Sequence, residues 1–117
     1  MATDTALQTQ AILAHHLQSL GAGLLDAILS DYTEDSILFT PNGLVCGLDG
    51  LRAFFGASIK NTPPELMQAL QMIRQDVDGE IAYVLWKAEP YVSVGADTFV
   101  VRNSKIMVQT FAAYPLS

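Results

Sequence analysis

Two side chains of this sequence could carry proton chemistry from places where ionisable groups are unusual. Asp97 opens the run Asp97-Thr98-Phe99-Val100-Val101, which otherwise has the composition of a buried strand. A carboxylate on the apolar face of a sheet is costly unless it is paired, hydrogen-bonded or kept protonated. Asp97 is therefore a satisfied structural acid, a strand-end acid in water, or the polar group of a pocket. His16 borders the apolar stripe Leu13, Leu17, Leu20 of a helix. Its reference pKa of about 6.5 suits hydrogen bonding or proton transfer near neutrality. The competing role is a hydrogen-bonded histidine at the edge of the core. His15, one step around the helix, reads as a solvated surface residue. Adjacent histidines do not face one another on a helix. With Cys46 as the only cysteine, no metal site and no cofactor are expected.

The elements that must position these residues follow from composition and pattern. The 117 residues make one domain, half of them apolar, enough for a substantial core. Twelve acids against six bases give a net charge of -6, which argues against nucleic acid as a partner. A lone cysteine excludes an internal disulfide and points to a reducing compartment. Cys46 itself reads as a small buried hydrophobe. The first residues lack the pattern of a secretory signal, and no apolar run reaches the ~20 residues of a membrane span. A cytoplasmic protein with no membrane partner is expected.

Helices precede strands, the order of an α+β domain. A helix is predicted over residues 5–20, with Thr5 and Gln8 as a capping box and Gly21 and Gly23 ending it. A short second helix covers residues 24–32. Residues 36–40 and 44–46 form short strands around the turn Pro41-Asn42-Gly43. A third helix starts at Asp49 or Gly50 and stops before Pro63-Pro64. Residues 65–77 read as a strand, although Leu66, Leu70 and Ile73 also fit a helix. They turn at Asp78-Gly79 into a strand over residues 83–89. Residues 97–102 and 106–113 make a last hairpin around Asn103-Ser104-Lys105. Alternation puts Gln109, Phe111 and Ala113 on one face of that hairpin, and puts Tyr83 and Trp86 on opposite faces of their strand.

This order resembles the nuclear transport factor 2-like superfamily, in its SnoaL-like and ketosteroid isomerase-like branch. The resemblance rests on Leu20-Gly21-Ala22-Gly23-Leu24-Leu25 through Tyr32-Thr33-Glu34-Asp35-Ser36, on the glycine-led segment Gly47-Leu48-Asp49-Gly50-Leu51-Arg52-Ala53-Phe54-Phe55, and on the last hairpin from Asp97 to Ile106. It implies a cystatin-like cone, three N-terminal helices packed on a curved, mainly antiparallel sheet with an internal pocket. It also implies homodimerisation through the outer sheet face. Ketosteroid isomerase logic requires a carboxylate base, plus a tyrosine and a protonated aspartic acid at the developing oxyanion. Laid over this chain, the oxyanion acid falls on Asp97, the tyrosine on His16 and the base on Thr40.

A hydroxyl of ordinary pKa is no general base at neutral pH, so Thr40 departs from the pattern. The resemblance leaves a polar-ended pocket with His16 and Asp97 as the candidate catalytic pair, the carboxylate orienting the imidazole and raising its pKa. Thr40, Gln109, Tyr32, Trp86, Phe55, Phe99 and Phe111 are the expected ligand contacts. Gln109 is either a ligand hydrogen-bonder or a buried partner for Asp97. The implied function is a small-molecule pocket protein acting on, or holding, an apolar compound. If it turns the compound over, the chemistry is isomerase-, cyclase- or hydrolase-like. The alternatives are a binding module without turnover and a dimeric interaction protein.

Overall fold

The computed structural model describes residues 3–115. A long helix, α1 (Asp4–Ala22), leads into a short α2 (Leu25–Leu29). Strands β1 (Ile37–Thr40) and β2 (Gly43–Cys46) form a small hairpin, and α3 (Gly47–Asn61) follows directly. Next come α4 (Pro64–Ala69), β3 (Gln71–Asp78), β4 (Ile81–Ala88), β5 (Val92–Arg102) and β6 (Lys105–Tyr114). One six-stranded sheet has the order β2-β1-β6-β5-β4-β3. Only the β1–β6 pair is parallel; the other four are antiparallel. This is the α+β architecture of helices on a curved sheet.

Local chemistry explains most of the element ends. The first helix is capped by Thr3, whose hydroxyl accepts from the Ala6 amide at 3.0 Å, rather than by the predicted Thr5 box. It closes on Gly23 in the left-handed region at φ 68°. Asn103 and Ser104 both take positive φ, 53° and 58°, which makes a two-residue turn whose twist suits the β5–β6 hairpin.

Two further expectations are corrected. The segment predicted as a strand over residues 65–77 begins as α4, because Pro64 occupies the first helical turn where its missing N–H is harmless. Cys46 is exposed, since it alternates with the half-buried Val45 on a strand at the sheet edge.

The buried line of α1 runs Ala6, Thr9, Leu13, His16 and Ser19. Leu17 and Leu20 flank it at the core margin, and Leu24 lies outside it, 56% exposed. Thr9 fixes the rotation, because its hydroxyl donates to the Gly79 carbonyl in the β3–β4 turn at 2.7 Å. Helix and sheet meet on Leu13, Ile28, Leu38, Leu51, Phe99 and Ile106, each at most 1% exposed.

A polar pin locks α2 in place. His15 is not a free surface histidine: its Nδ1 lies 2.9 and 2.8 Å from the two Asp31 carboxylate oxygens. The Asp31 carbonyl accepts from the Ile106 amide at 2.7 Å, and Lys105 donates to the Ser30 carbonyl at 2.6 Å. Burial raises the Asp31 pKa, and the bond to His15 opposes that rise. The pin sets the position of Tyr32, the next residue. His15→Ala leaves a buried carboxylate without its partner and should lower unfolding stability by about 1–2 kcal/mol. Urea denaturation checks this; an unchanged midpoint would mean that Asp31 is satisfied without His15.

Candidate functional site

The register of the sheet fixes which side chains share its concave face. Trp86 lies opposite Gly95, Val84 opposite Asp97 and Ala82 opposite Phe99. On the other side Gly95, Asp97 and Phe99 pair with Ala113, Phe111 and Gln109. Asp97, Phe99, Gln109, Phe111 and Ala113 therefore share one face, as alternation predicted for Gln109, Phe111 and Ala113. Trp86 joins them, and Tyr83 turns to the opposite face.

Asp97 sits in mid-strand, so it is not a strand-end acid. Both of its carboxylate oxygens accept hydrogen bonds. The Trp86 indole donates to Oδ1 at 3.1 Å, and the Gln109 amide nitrogen donates to Oδ2 at 2.9 Å. The Gln109 amide oxygen accepts from the Tyr32 hydroxyl, which extends the chain of bonds into the helical layer. Gln109 and Tyr32 are both 3% exposed. Burial pushes the Asp97 pKa up to about 6, against the lowering effect of the bonds from Trp86 and Gln109. Burial also raises the Tyr32 pKa, and the negative charges of Asp97 and Asp31 add to the rise.

His16 lies beneath this chain but is not bonded into it. Its ring packs edge-on against Phe99, Tyr32 and Phe55, with centroids 5.4, 5.8 and 5.9 Å away. It is 1% exposed, and its Nδ1 has no hydrogen-bond partner. Burial lowers its pKa to about 4, helped by the nearby His15, so the imidazole is neutral at pH 7. The anticipated His16–Asp97 pair is thus corrected. Gln109 and Trp86 take both carboxylate oxygens, and the histidine pKa moves down instead of up.

Thr40 has a structural task in the β1–β2 hairpin. Its hydroxyl donates to the Gly43 carbonyl at 2.8 Å and accepts from the Asn42 amide at 3.1 Å, so it builds the β1–β2 turn. Phe55 and Phe99 are core residues, 3% and 1% exposed. Phe111 is half-buried and packs edge-on against Phe54, with centroids 6.4 Å apart. The interior that the resemblance assigned to an open pocket is filled around His16 by Tyr32, Phe55 and Phe99. Neither of the two best-defined surface concavities is lined by Asp97 or His16. One of about 520 Å³ lies beside α2, and one of about 360 Å³ beside Phe39, Thr40 and Phe111; both are open to solvent. Among the described residues no three His, Cys, Asp or Glu side chains gather as a metal site would need. No helix among them is long and apolar enough to cross a membrane.

Gly95 carries part of the site and was not singled out in the sequence. It is buried beneath Trp86, and a Cβ there would stand 2.2 Å from the indole Cε2. Only glycine lets the ring lie against the strand. A glycine inside a strand signals such a close approach, so the sign was legible; its partner was not.

The fold has many solved counterparts. An NTF2-like protein from Mesorhizobium loti superposes with a TM-score of 0.78 at 15% identity, covering 97% of this chain and 96% of that one. A SnoaL-like protein from Burkholderia thailandensis gives 0.72 at 12% identity, over 92% and 94% of the two chains. A candidate ketosteroid isomerase from Kribbella flavida gives 0.69 at 16%, over 96% and 82%. No family model matches the sequence, and no curated protein matches it significantly. The chain has the NTF2-like fold shared by SnoaL-like and ketosteroid isomerase-like proteins.

The Asp97 environment has a thermodynamic signature. A carboxyl whose pKa rises from 3.8 unfolded to about 6 folded binds more protons in the folded state. Its contribution to stability is therefore full at low pH and declines as pH rises from about 4 to about 6. Above that the loss is constant, on the order of 2–3 kcal/mol. Asp97→Asn removes the ionisation, and reversing the Gln109 amide keeps the chain bonded. The difference in unfolding free energy, variant minus wild type, should grow across that window in urea titrations. A difference independent of pH would contradict the raised pKa.

Proposed function

We propose that the chain is a small-molecule protein that performs acid–base chemistry on an apolar, carbonyl-bearing compound, with Asp97 as the proton-transfer group. The observation that carries this reading is the placement of Asp97. It is a half-buried residue on the concave face, with its carboxyl pKa raised to about 6 by burial and its two oxygens held by Trp86 and Gln109. A group with that pKa exchanges protons readily near neutrality. Proton abstraction beside a carbonyl breaks a C–H bond, moves the proton to the carboxylate and places the electron pair on the carbonyl oxygen. The protonated Asp97 then returns the proton to another carbon, which completes an isomerisation. His16, neutral and enclosed by Tyr32, Phe55 and Phe99, does not serve as the base. The isomerase- and cyclase-like chemistry of the branch supports this class, and Asp97 takes the place of a base at Thr40.

Turnover of a panel of enones and aromatic ketones tests the assignment. The rate should rise with pH through a midpoint near 6, fall at least about a hundredfold in Asp97→Asn, and keep its midpoint in His16→Phe. Binding of the panel without turnover in any variant would replace the enzyme with a binding module.

A second reading, homodimerisation through the outer sheet face, has its own support. Phe39 and Leu44 are register partners on that face, and Ile81, Val94 and Tyr114 lie on it as well. All five are 42–67% exposed, an unusual apolar load for a face left in water. Sedimentation should give a dimer for the wild type and a monomer for Leu44→Lys. A monomeric wild type would remove this reading.

A further inference from the structure

The contacts that end on Asp97 begin at the surface. The His15 side chain is 47% exposed, and the Asp31 side chain it rests on is 6% exposed. The carboxylate only accepts, so His15 Nδ1 carries the proton of that contact. Two short routes lead inward from Asp31. The first is the next residue, Tyr32, whose hydroxyl donates to the Gln109 amide oxygen. The second is β6, where the Ile106 amide donates to the Asp31 carbonyl at 2.7 Å and Gln109 follows three residues on. Both routes converge on Gln109, whose amide nitrogen donates to Asp97 Oδ2 at 2.9 Å.

Gln109 is where this convergence matters. Ionised Asp97 has no proton to give, so Gln109 must turn its nitrogen to the acid and its oxygen to Tyr32. A partner at each end holds the amide in that sense. The Tyr32 ring packs against Phe55 and His16, with centroids 5.6 and 5.8 Å away. That packing sets the depth of the ring, while the backbone at residues 31–32 sets where its hydroxyl points. We infer that His15 is a positioning residue for Asp97, acting through Asp31, Tyr32 and Gln109, so that a surface side chain controls how firmly the carboxylate of the functional site is held. The inference rests on Asp97 being the polar group of that site and adds its regulation. Asp31 and Lys105 are the charged groups beside His15. In the helical layer next to Asp97, Tyr32 is pushed well above its ordinary value by burial and His16 is lowered to about 4, so neither changes charge near pH 6.

The test reads the pH midpoint of the Trp86 indole N–H resonance in the full chain. Trp86 is the only tryptophan, and its bond to Oδ1 makes the resonance report the charge of Asp97. In His15→Ala the midpoint should rise from about 6 by about half a pH unit, roughly a threefold change in proton affinity, because the ionised carboxylate is held less firmly by Gln109. The double variant His15→Ala/Asp31→Ala leaves no unpaired buried carboxylate and should also show a raised midpoint. Removing the Asp31 charge by itself would lower the midpoint, so a rise there reports the lost hold. His15→Asn keeps an N–H donor near the place of Nδ1 but cannot ionise, and should restore the wild-type midpoint. In a Tyr32→Phe background, where the chain of bonds is already cut, adding His15→Ala should move the midpoint no further. A pin with a purely structural role predicts lower stability in His15→Ala with the midpoint unmoved, and that result overturns the inference. Equal rises in His15→Ala and His15→Asn overturn it as well, since the effect would then be one of charge. So does a further rise in the Tyr32→Phe background. A wild-type midpoint near 6 that ignores His15 leaves the acid–base reading standing, whereas a wild-type resonance that does not titrate near 6 sinks both.

Discussion

Everything distinctive in this molecule depends on keeping one carboxylate inside an apolar cone. Asp97 sits on the concave face of a curved sheet, among Phe99, Phe111 and Val84. A buried charge there is expensive, and the surroundings share the cost in two ways. Two donors, from Trp86 and Gln109, satisfy its oxygens. The remaining desolvation moves the pKa to about 6, so the proton itself becomes the third partner at mildly acidic pH. The rest of the polar interior is arranged around that solution. Gln109 can aim its nitrogen at Asp97 because Tyr32 donates to its oxygen. Tyr32 is placed by the neighbouring Asp31, whose carboxylate is held by His15 and whose carbonyl is held by β6.

The same constraint explains what the neighbouring residues do not do. His16 is buried in an aromatic cage and cannot gain charge from Asp97, whose oxygens are already used. Its low pKa makes it a neutral polar atom in the floor of the cone. Thr40 spends its hydroxyl on a turn. The chemistry therefore contracts to one ionisable group with two positioning donors. An NTF2-like fold accommodates many functions, and such a fold by itself names no reaction. The assignment to acid–base chemistry comes from the Asp97 environment, not from the fold.

Much of this was legible before any coordinates. The helix-then-strand order and the hairpin turns follow from pattern and turn residues, and the sharing of one face by Gln109, Phe111 and Ala113 follows from the strict alternation of side chains along a strand. Gln109 as a buried partner for Asp97 was one of two open readings for it. What periodicity does not carry is depth and pairing between elements. The bond from Trp86 to Asp97 depends on the β4–β5 register, which long-range sheet geometry sets. The rotation of α1 that buries His16 depends on Thr9 meeting the carbonyl of Gly79, 70 residues away. The fate of residues 65–77 hinged on competition between a helix start at Pro64 and a strand that begins only at Gln71. Gly95 shows the limit most clearly. A glycine in a strand announces a close approach, but only the fold reveals that the approaching group is the indole that satisfies the acid.

The most direct measurement follows the indole N–H resonance of Trp86 as pH is varied, in wild type and in Asp97→Asn. The bond to Oδ1 makes that resonance a reporter of the carboxyl's charge. The account predicts one titration with a midpoint near 6, absent from the variant. A midpoint near 4, the ordinary carboxylate value, or a resonance that does not titrate at all, would contradict it.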